Sequence, residues 1–393
     1  MGETLADLGE WELIRRLGAF APPGQFADDA ALLARATDSG EQLVVNTDVL
    51  VEGVHFSDAT TGPADVGWRA AAANLSDLAA MGCTEVVGIT VALVAPASTS
   101  WAWVEGVYEG LHQALAVHGG EILGGDCSGG GQRLLAITAL GRLSREGGPI
   151  RRGDGRPGDL LVCTGPHGLS RLGLALLQGE IELSTGASSN WEAADWEARA
   201  IAAHRRPRPR FDAVRALLAS RPVALPWRVG GCDSSDGLAA SVAAIAAASG
   251  CSAWLERDAL PLDPAMAALP EAERWCLGGG EDFELVLALE TTWAAALLES
   301  LPGATVIGRL ETGRAGDLGW NDGSPWPEAT WGIGGFQHFG HSDAARVRDV
   351  SRRRGADRWA SAPEPGRHGA SAEPVSQSRA ARRTPPAGSP AGR

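Results

Sequence analysis

Apolar residues recur along this chain in two rhythms, short β-branched runs and longer stretches at helical spacing. Leu8, Trp11, Leu13, Ile14 and Leu17 predict a helix within 1–20, ended by Pro22-Pro23-Gly24. Residues 43–45 predict a strand terminated by Thr47-Asp48. Pro63 opens a helix with Trp68, Ala72, Leu75 and Ala79 on one face, stopped by Gly82 as a left-handed cap. A strand over 86–94 and a helix over 96–118 follow. Residues 121–123 read as a short strand broken by a glycine-rich loop, and 134–143 as its return. A Gly-, Pro- and Arg-rich linker covers 147–158. Beyond it come a strand at 160–164, a helix at 168–178, a polar loop or partly ordered helix at 184–197 and a helix at 238–248. A glycine turn at 278–280 then leads to a strand from Leu285, a helix at 293–301 and a strand at 305–310. The pattern predicts a mixed α/β chain with domains at 1–146 and 147–339. Residues 340–393 have almost no apolar positions and predict a disordered tail.

Charge narrows the function. The net charge is −14, yet the segment from Gly340 holds 11 Arg against 5 Asp or Glu, so the body is close to −20. An acidic body opposes nucleic-acid wrapping and suits work with divalent cations. All 34 basic residues are Arg. A chain without lysine has no Walker A lysine, no kinase-type lysine and no Schiff base. The six cysteines lie far apart, with no Cys-x-x-Cys, and no apolar run reaches membrane length. These features predict a cytoplasmic protein without structural zinc.

The candidate chemistry lies in acids beside apolar runs: Asp28-Asp29, Asn46-Thr47-Asp48, Asn74 with Asp77, Gly124-Gly125-Asp126 and Asp233-Ser234-Ser235-Asp236-Gly237. Several carboxylates of this kind suggest hard cations, and hard cations suggest phosphates. Blander roles stand beside these. Asp28 and Asp29 suit turn capping, Asp236 suits a helix N-cap, His55 a surface position and Tyr108 a packing role. Asp77 lies within a helix rich in Ala and Leu, where a buried aspartate needs a partner. The basic turn His204-Arg205-Arg206-Pro207-Arg208-Pro209-Arg210 is either a solvated loop or an anion contact.

Taken in order, these segments, with Glu52-Gly53-Val54-His55-Phe56 and Gly279-Gly280-Glu281-Asp282-Phe283-Glu284-Leu285, resemble the thiamine-monophosphate kinases over about 5–340. These belong with aminoimidazole ribonucleotide synthetase, selenophosphate synthetase and a hydrogenase maturation factor. The resemblance implies a two-domain synthetase-like fold whose N-terminal sheets pair across a homodimer. It implies several Mg²⁺ held by Asp29, Asn46, Thr47, Asp48, Asp77, Asp126, Asp233 and Asp236. It implies ATP contacts from Tyr108, Gly125, Asp126, Arg152 and Ser235, with Arg151 competing for the role of Arg152. His55, Glu281 and Phe336 would meet thiamine monophosphate. The family pattern differs here at Ala27, Asn46, Ser234 and the 151–155 loop, without loss of a carboxylate.

The implied reaction is direct in-line transfer from ATP to thiamine monophosphate, with no covalent nucleophile on the protein. The acceptor phosphate is already an anion at neutral pH. Rival members fit less well. Selenophosphate synthetase wants an early Cys and Lys, and the hydrogenase factor wants a C-terminal Cys. An aminoimidazole ribonucleotide synthetase-like activity and a non-catalytic nucleotide- or Mg-binding module remain as alternatives.

Overall fold

Two mixed sheets, each with its own helices, form the molecule. The computed structural model describes residues 4–327 except 23, 25, 34–41, 182–190, 265 and 268. Phe336 and the segment from Gly340 therefore lie outside the described residues.

The first sheet follows α1 (Leu5–Leu17), which Thr4 caps by accepting from the Asp7 amide. Its elements are β1 (Ala31–Leu32), β2 (Leu43–Val51), α2 (Pro63–Ala80), β3 (Cys83–Ala95), α3 (Trp101–His118), β4 (Glu121–Gly129) and β5 (Leu134–Leu143). The strand order is β1-β2-β5-β3-β4. Only β3 and β4 pair in parallel. Two-residue periodicity decides what each face meets. On β5, Leu135, Ile137, Ala139, Gly141 and Leu143 are buried, while Leu134, Ala136, Thr138 and Leu140 are only half-buried. The helices α2 and α3 lie on the buried side, and among the described residues the other side is the open one, with Thr47 and Val49 exposed.

The second sheet comprises β6 (Leu160–Cys163), α4 (Leu169–Gln178), α5 (Trp191–Arg205), α6 (Phe211–Ser220), β7 (Gly230–Asp233), α7 (Leu238–Ala248), β8 (Ser252–Leu255), α8 (Ala272–Gly278), β9 (Leu285–Leu289), α9 (Thr291–Ser300), β10 (Thr305–Glu311) and β11 (Leu318–Trp320). Its order is β11-β8-β10-β6-β9-β7. Leu238, Val242 and Ile245 of α7 pack with Leu161 and Val286. Phe211, Leu217 and Trp293 on α6 and α9 join a cluster that reaches back to α2 and the first sheet.

The helix α2 is the central element. Pro63 starts it, where a missing N–H costs nothing, and alanines fill it. Nearly all its residues are buried, including the polar Arg69, Asn74 and Ser76. Two glycines bring α3 against it. A Cβ on Gly67 would lie 1.9 Å from the Val107 carbonyl oxygen, and one on Gly110 would lie 1.9 Å from that of Ala64. The helix ends as expected, with Gly82 at φ 87°.

Several expectations need correction. Thr47-Asp48 does not end a strand: β2 runs on through Val49-Leu50-Val51, whose apolar residues continue the pairing with β5. The glycine-rich loop is instead strand β4, paired along β3 as far as Gly129. Gly125 permits this, because a Cβ there would meet the Val91 carbonyl oxygen at 1.9 Å. Of the polar stretch at 184–197, residues 184–190 lie outside the described residues, and the rest opens helix α5, the helical one of the two alternatives. Asp236 is not the N-cap of α7; Gly237 holds that position, with φ 112°. Ser100, not Pro96, begins α3, accepting from the Trp103 amide. The pattern also missed α6, β7, α8, β8 and β11, which are short.

Candidate active site

Four carboxylates from four elements converge where the first sheet faces the second. Asp48 comes from β2, Asp77 from α2, Asp233 from the end of β7, and Asp29 from the turn before β1. Asp48 and Asn46 are two apart on β2, so both side chains point to the α2 side. Asn74 ties the group together: its Oδ1 accepts from the Asp48 amide at 3.0 Å and from Asn46 Nδ2 at 3.3 Å. Asn46 Nδ2 also donates to Asp77 at 2.7 Å, and Ser76 Oγ donates to Asp233 at 2.7 Å. The Asp233 amide donates to Asp29 at 3.2 Å, and Arg152 forms a salt bridge to the same carboxylate.

The electrostatics describe a site short of positive charge. Burial, then the charges of Asp48, Asp233 and Asp29, push Asp77 well above the carboxylate range. Burial and Asp29 push Asp233 up to about 8. Burial raises Asp29 as well, against the pull of Arg152. Arg152 sets a positive charge against Asp29. Asn46 Oδ1 is buried without a hydrogen-bond partner. Among the described residues no three acidic, His or Cys side chains already close on one point as a finished metal cage. The donors present are nevertheless oxygen atoms of the hard type that Mg²⁺ selects.

Other expected residues fall elsewhere. Thr47 points to the open face, where its hydroxyl meets that of Thr138 at 2.8 Å. Asp126 lies in register with Ala92, Ala136 and Val49, on that same face. Three strand spacings, about 14 Å, separate β4 from β2 within one chain. The Asp126 carboxylate meets Ser128 at 3.3 Å. Tyr108, on α3, lies near Cys127 of β4. Asp126 on the open face, and Tyr108 near Cys127 on the helix side of β4, therefore both lie apart from the four converging acids. Arg152 is in the cluster, whereas Arg151 is exposed. Ser235 and Asp236 are exposed just after Asp233.

A second cluster lies toward the start of α2. Glu281 meets Arg69, and His55 Nδ1 accepts from the Val51 amide at 3.0 Å. Glu281 and Phe283 are the two described non-glycine residues with positive φ, at 59° and 52°. Such backbone is costly and concentrates at functional sites. The Glu281 amide donates to the Ser235 carbonyl at 2.7 Å, which joins this loop to the Asp233 segment. Asp77 lies eight residues beyond Arg69, about 12 Å along the helix. The basic turn is neither a solvated loop nor an open anion contact. Arg205 donates to the Thr60 carbonyl at 2.7 Å, Arg206 binds Asp65 at 2.6 Å, and Arg210 binds Glu284; Arg208 alone of these is exposed.

Known proteins share this architecture. Residues 27–143 match the family described as AIR synthase related protein, N-terminal domain, and residues 156–321 match its C-terminal domain. The thiamine-monophosphate kinase of Prochlorococcus marinus is 44% identical over 339 residues, covering 86% of this chain and 98% of that protein. That of Synechococcus elongatus is 46% identical with the same coverage. This chain belongs to the thiamine-monophosphate kinase family. A solved structure, AaThiL complexed with AMPPCP and TMP, matches with a TM-score of 0.71 and 27% identity, covering 86% of this chain and 99% of that one. Within a thiamine-monophosphate kinase fold, Asn74 and Ser76 have a part that the sequence reading did not give them. Asn74 holds the Asp48 backbone and Ser76 the Asp233 carboxylate, so both fix where the acids stand. Their signal was present: buried polar residues in an otherwise alanine-rich helix.

Proposed function

We propose that this protein transfers the terminal phosphoryl group of ATP to thiamine monophosphate, giving thiamine diphosphate and ADP. The observation that carries this reading is the convergence of Asp29, Asp48, Asp77 and Asp233 in a chain of this family. Mg²⁺ fits that set, because four mutually repelling carboxylates and a buried, unpartnered amide oxygen call for a hard cation. Asp29, Asn46, Asp48, Asp77 and Asp233 would hold it, with Asp236 at the rim. When bound, Mg²⁺ neutralises phosphate charge and the charge that develops in transfer.

The chain's own residues do the positioning. Asn74 and Ser76 hold the carboxylates in place before substrate arrives. His55 and Glu281 receive the rings of the acceptor, and the phosphate end lies along α2 toward Asp77. Ser235, between the two clusters, and Arg152 serve the ATP end. The acceptor phosphate needs no strong base, so no covalent nucleophile is required.

The functional unit is a homodimer joined through the open sheet face. Val49 on that face is 41% exposed, and every residue of β4, the last strand in the sheet order, is exposed. Asp126 lies on that face, distant from the acids of its own chain. In the dimer, Tyr108, Gly125 and Asp126 of one protomer complete the ATP end of the other's site. Thr47, facing the same way, contributes at the joint. The two matched regions divide at the 144–155 segment, which supports a domain boundary there. No described helix is long and apolar enough to cross a membrane.

The deciding experiment measures ADP release with ATP, with and without thiamine monophosphate, across a Mg²⁺ titration. Turnover dependent on both the acceptor and Mg²⁺ is expected. Turnover only with an aminoimidazole precursor, or nucleotide binding without turnover, would overturn the reading.

A further inference from the structure

Arg69 is a charged side chain only 3% exposed, within α2. A guanidinium at such depth turns to protein acceptors, and here both Nη atoms find them while Nε does not. Nη1 donates to the His204 carbonyl. Nη2 donates to Glu281 Oε1 and, at 3.4 Å, to the His55 carbonyl. The acceptors come from the end of α5, the loop before β9 and the turn after β2. Two of them, Glu281 and His55, are the residues placed at the acceptor.

The geometry around Glu281 gives this contact a purpose. Its backbone is left-handed, at φ 59°, and its side chain is 33% exposed. A carboxylate at a cleft edge would otherwise rotate into water. Arg69 holds one oxygen, and Oε2 stands 3.8 Å from His204 Nδ1. His204 is neutral, pushed down to about 4 by burial and the nearby Arg69, so it offers no second counter-charge. The contact with Arg69 is therefore what orients Glu281.

We propose that Arg69 is a positioning residue for the phosphate acceptor, locking the Glu281 carboxylate and the His55 turn into one preformed edge. The inference rests on the acceptor reading given above. Arg69 touches neither reacting phosphate, and the acid cluster lies about 12 Å further along α2. Its loss weakens the acceptor and spares ATP.

The test uses the full chain with Arg69→Gln and Arg69→Lys. Each substrate is varied in turn, and melting is followed in parallel. Hydrogen bonds to charged groups imply a rise of roughly tenfold or more in KM for thiamine monophosphate in Arg69→Gln. KM for ATP should move less than about twofold, and Arg69→Lys should recover part of the loss. Adding Glu281→Gln to Arg69→Gln should cost little more, because the two act as one unit. Equal rises in both KM values, or a lower melting temperature with KM for the acceptor unchanged, would show a merely structural role. If Arg69→Gln does not fold, Arg69→Lys and Glu281→Gln, with their double variant, decide by the same additivity. If the unaltered chain does not turn over, the kinase reading fails on its own. Calorimetric titration with thiamine monophosphate then decides: weaker binding by Arg69→Lys supports the inference, and equal affinity overturns it.

Discussion

Asp77 shows how one residue can be costly to the fold and necessary to the site. Its carboxylate is raised by burial and by three like charges. Asp77→Asn relieves that repulsion while removing an anionic oxygen. Activity should fall by about 100-fold or more. The melting temperature without Mg²⁺ should hold or rise; a loss of activity explained by unfolding would contradict this. His167 behaves in the opposite sense. It is fully buried, its Nδ1 lies 3.1 Å from the Gly165 carbonyl, and burial pushes it down to about 4. The unfolded chain protonates this histidine near 6.5 and the folded chain does not. Its contribution to stability is therefore full above about pH 6.5 and is lost as pH falls toward 4. Between about pH 7 and pH 5, His167→Gln should lose about 2 kcal/mol less than the unaltered chain in urea unfolding. Taking the difference between the two chains cancels the opposite drift of the raised carboxylates, Asp233 and Asp282 included.

At the scale of elements, close backbone contact explains what composition could not. Gly110→Ala would push a Cβ onto the Ala64 carbonyl and part α3 from α2. Overpacking of this kind should cost about 1–3 kcal/mol in chemical denaturation, with loss of acceptor turnover as α2 shifts. The long helices and the β-branched strands were legible because burial imposes their periods. The acids, too, were legible as chemistry, since an aspartate among alanines demands a reason. The course of β2 and β4 was not. Thr-Asp and Gly-Gly-Asp are turn signals locally, and only pairing with β5 and β3 overrides them. Nor could the sequence say that Thr47 and Asp48 face opposite ways, because that requires the strand to continue. Arg69 was hidden for a similar reason. Its three acceptors lie in segments distant along the chain.

For the whole molecule, the open face and the stranded position of Asp126 make one joint prediction. Co-expressing Asp77→Asn with Asp126→Asn chains gives inactive homodimers of each kind. If Asp126 serves the partner's site, each mixed dimer holds one intact site, and random assembly restores about a quarter of normal activity. If Asp126 serves its own chain, mixing restores nothing. Activity per purified mixed dimer distinguishes the two. Replacing Val49 by Asp should give a monomer by light scattering, without turnover.

The span of α2 from Arg69 to Asp77 has a consequence for how such a protein can change over time. The same rigid rod borders both ends of the cleft, so neither end can be adjusted by length. One inserted residue would swing Asp77 by about 100° and displace it by about 1.5 Å relative to Arg69. Drift within those eight steps is confined to exchanges of one side chain for another, and size variation must be taken up in the connections outside the rod.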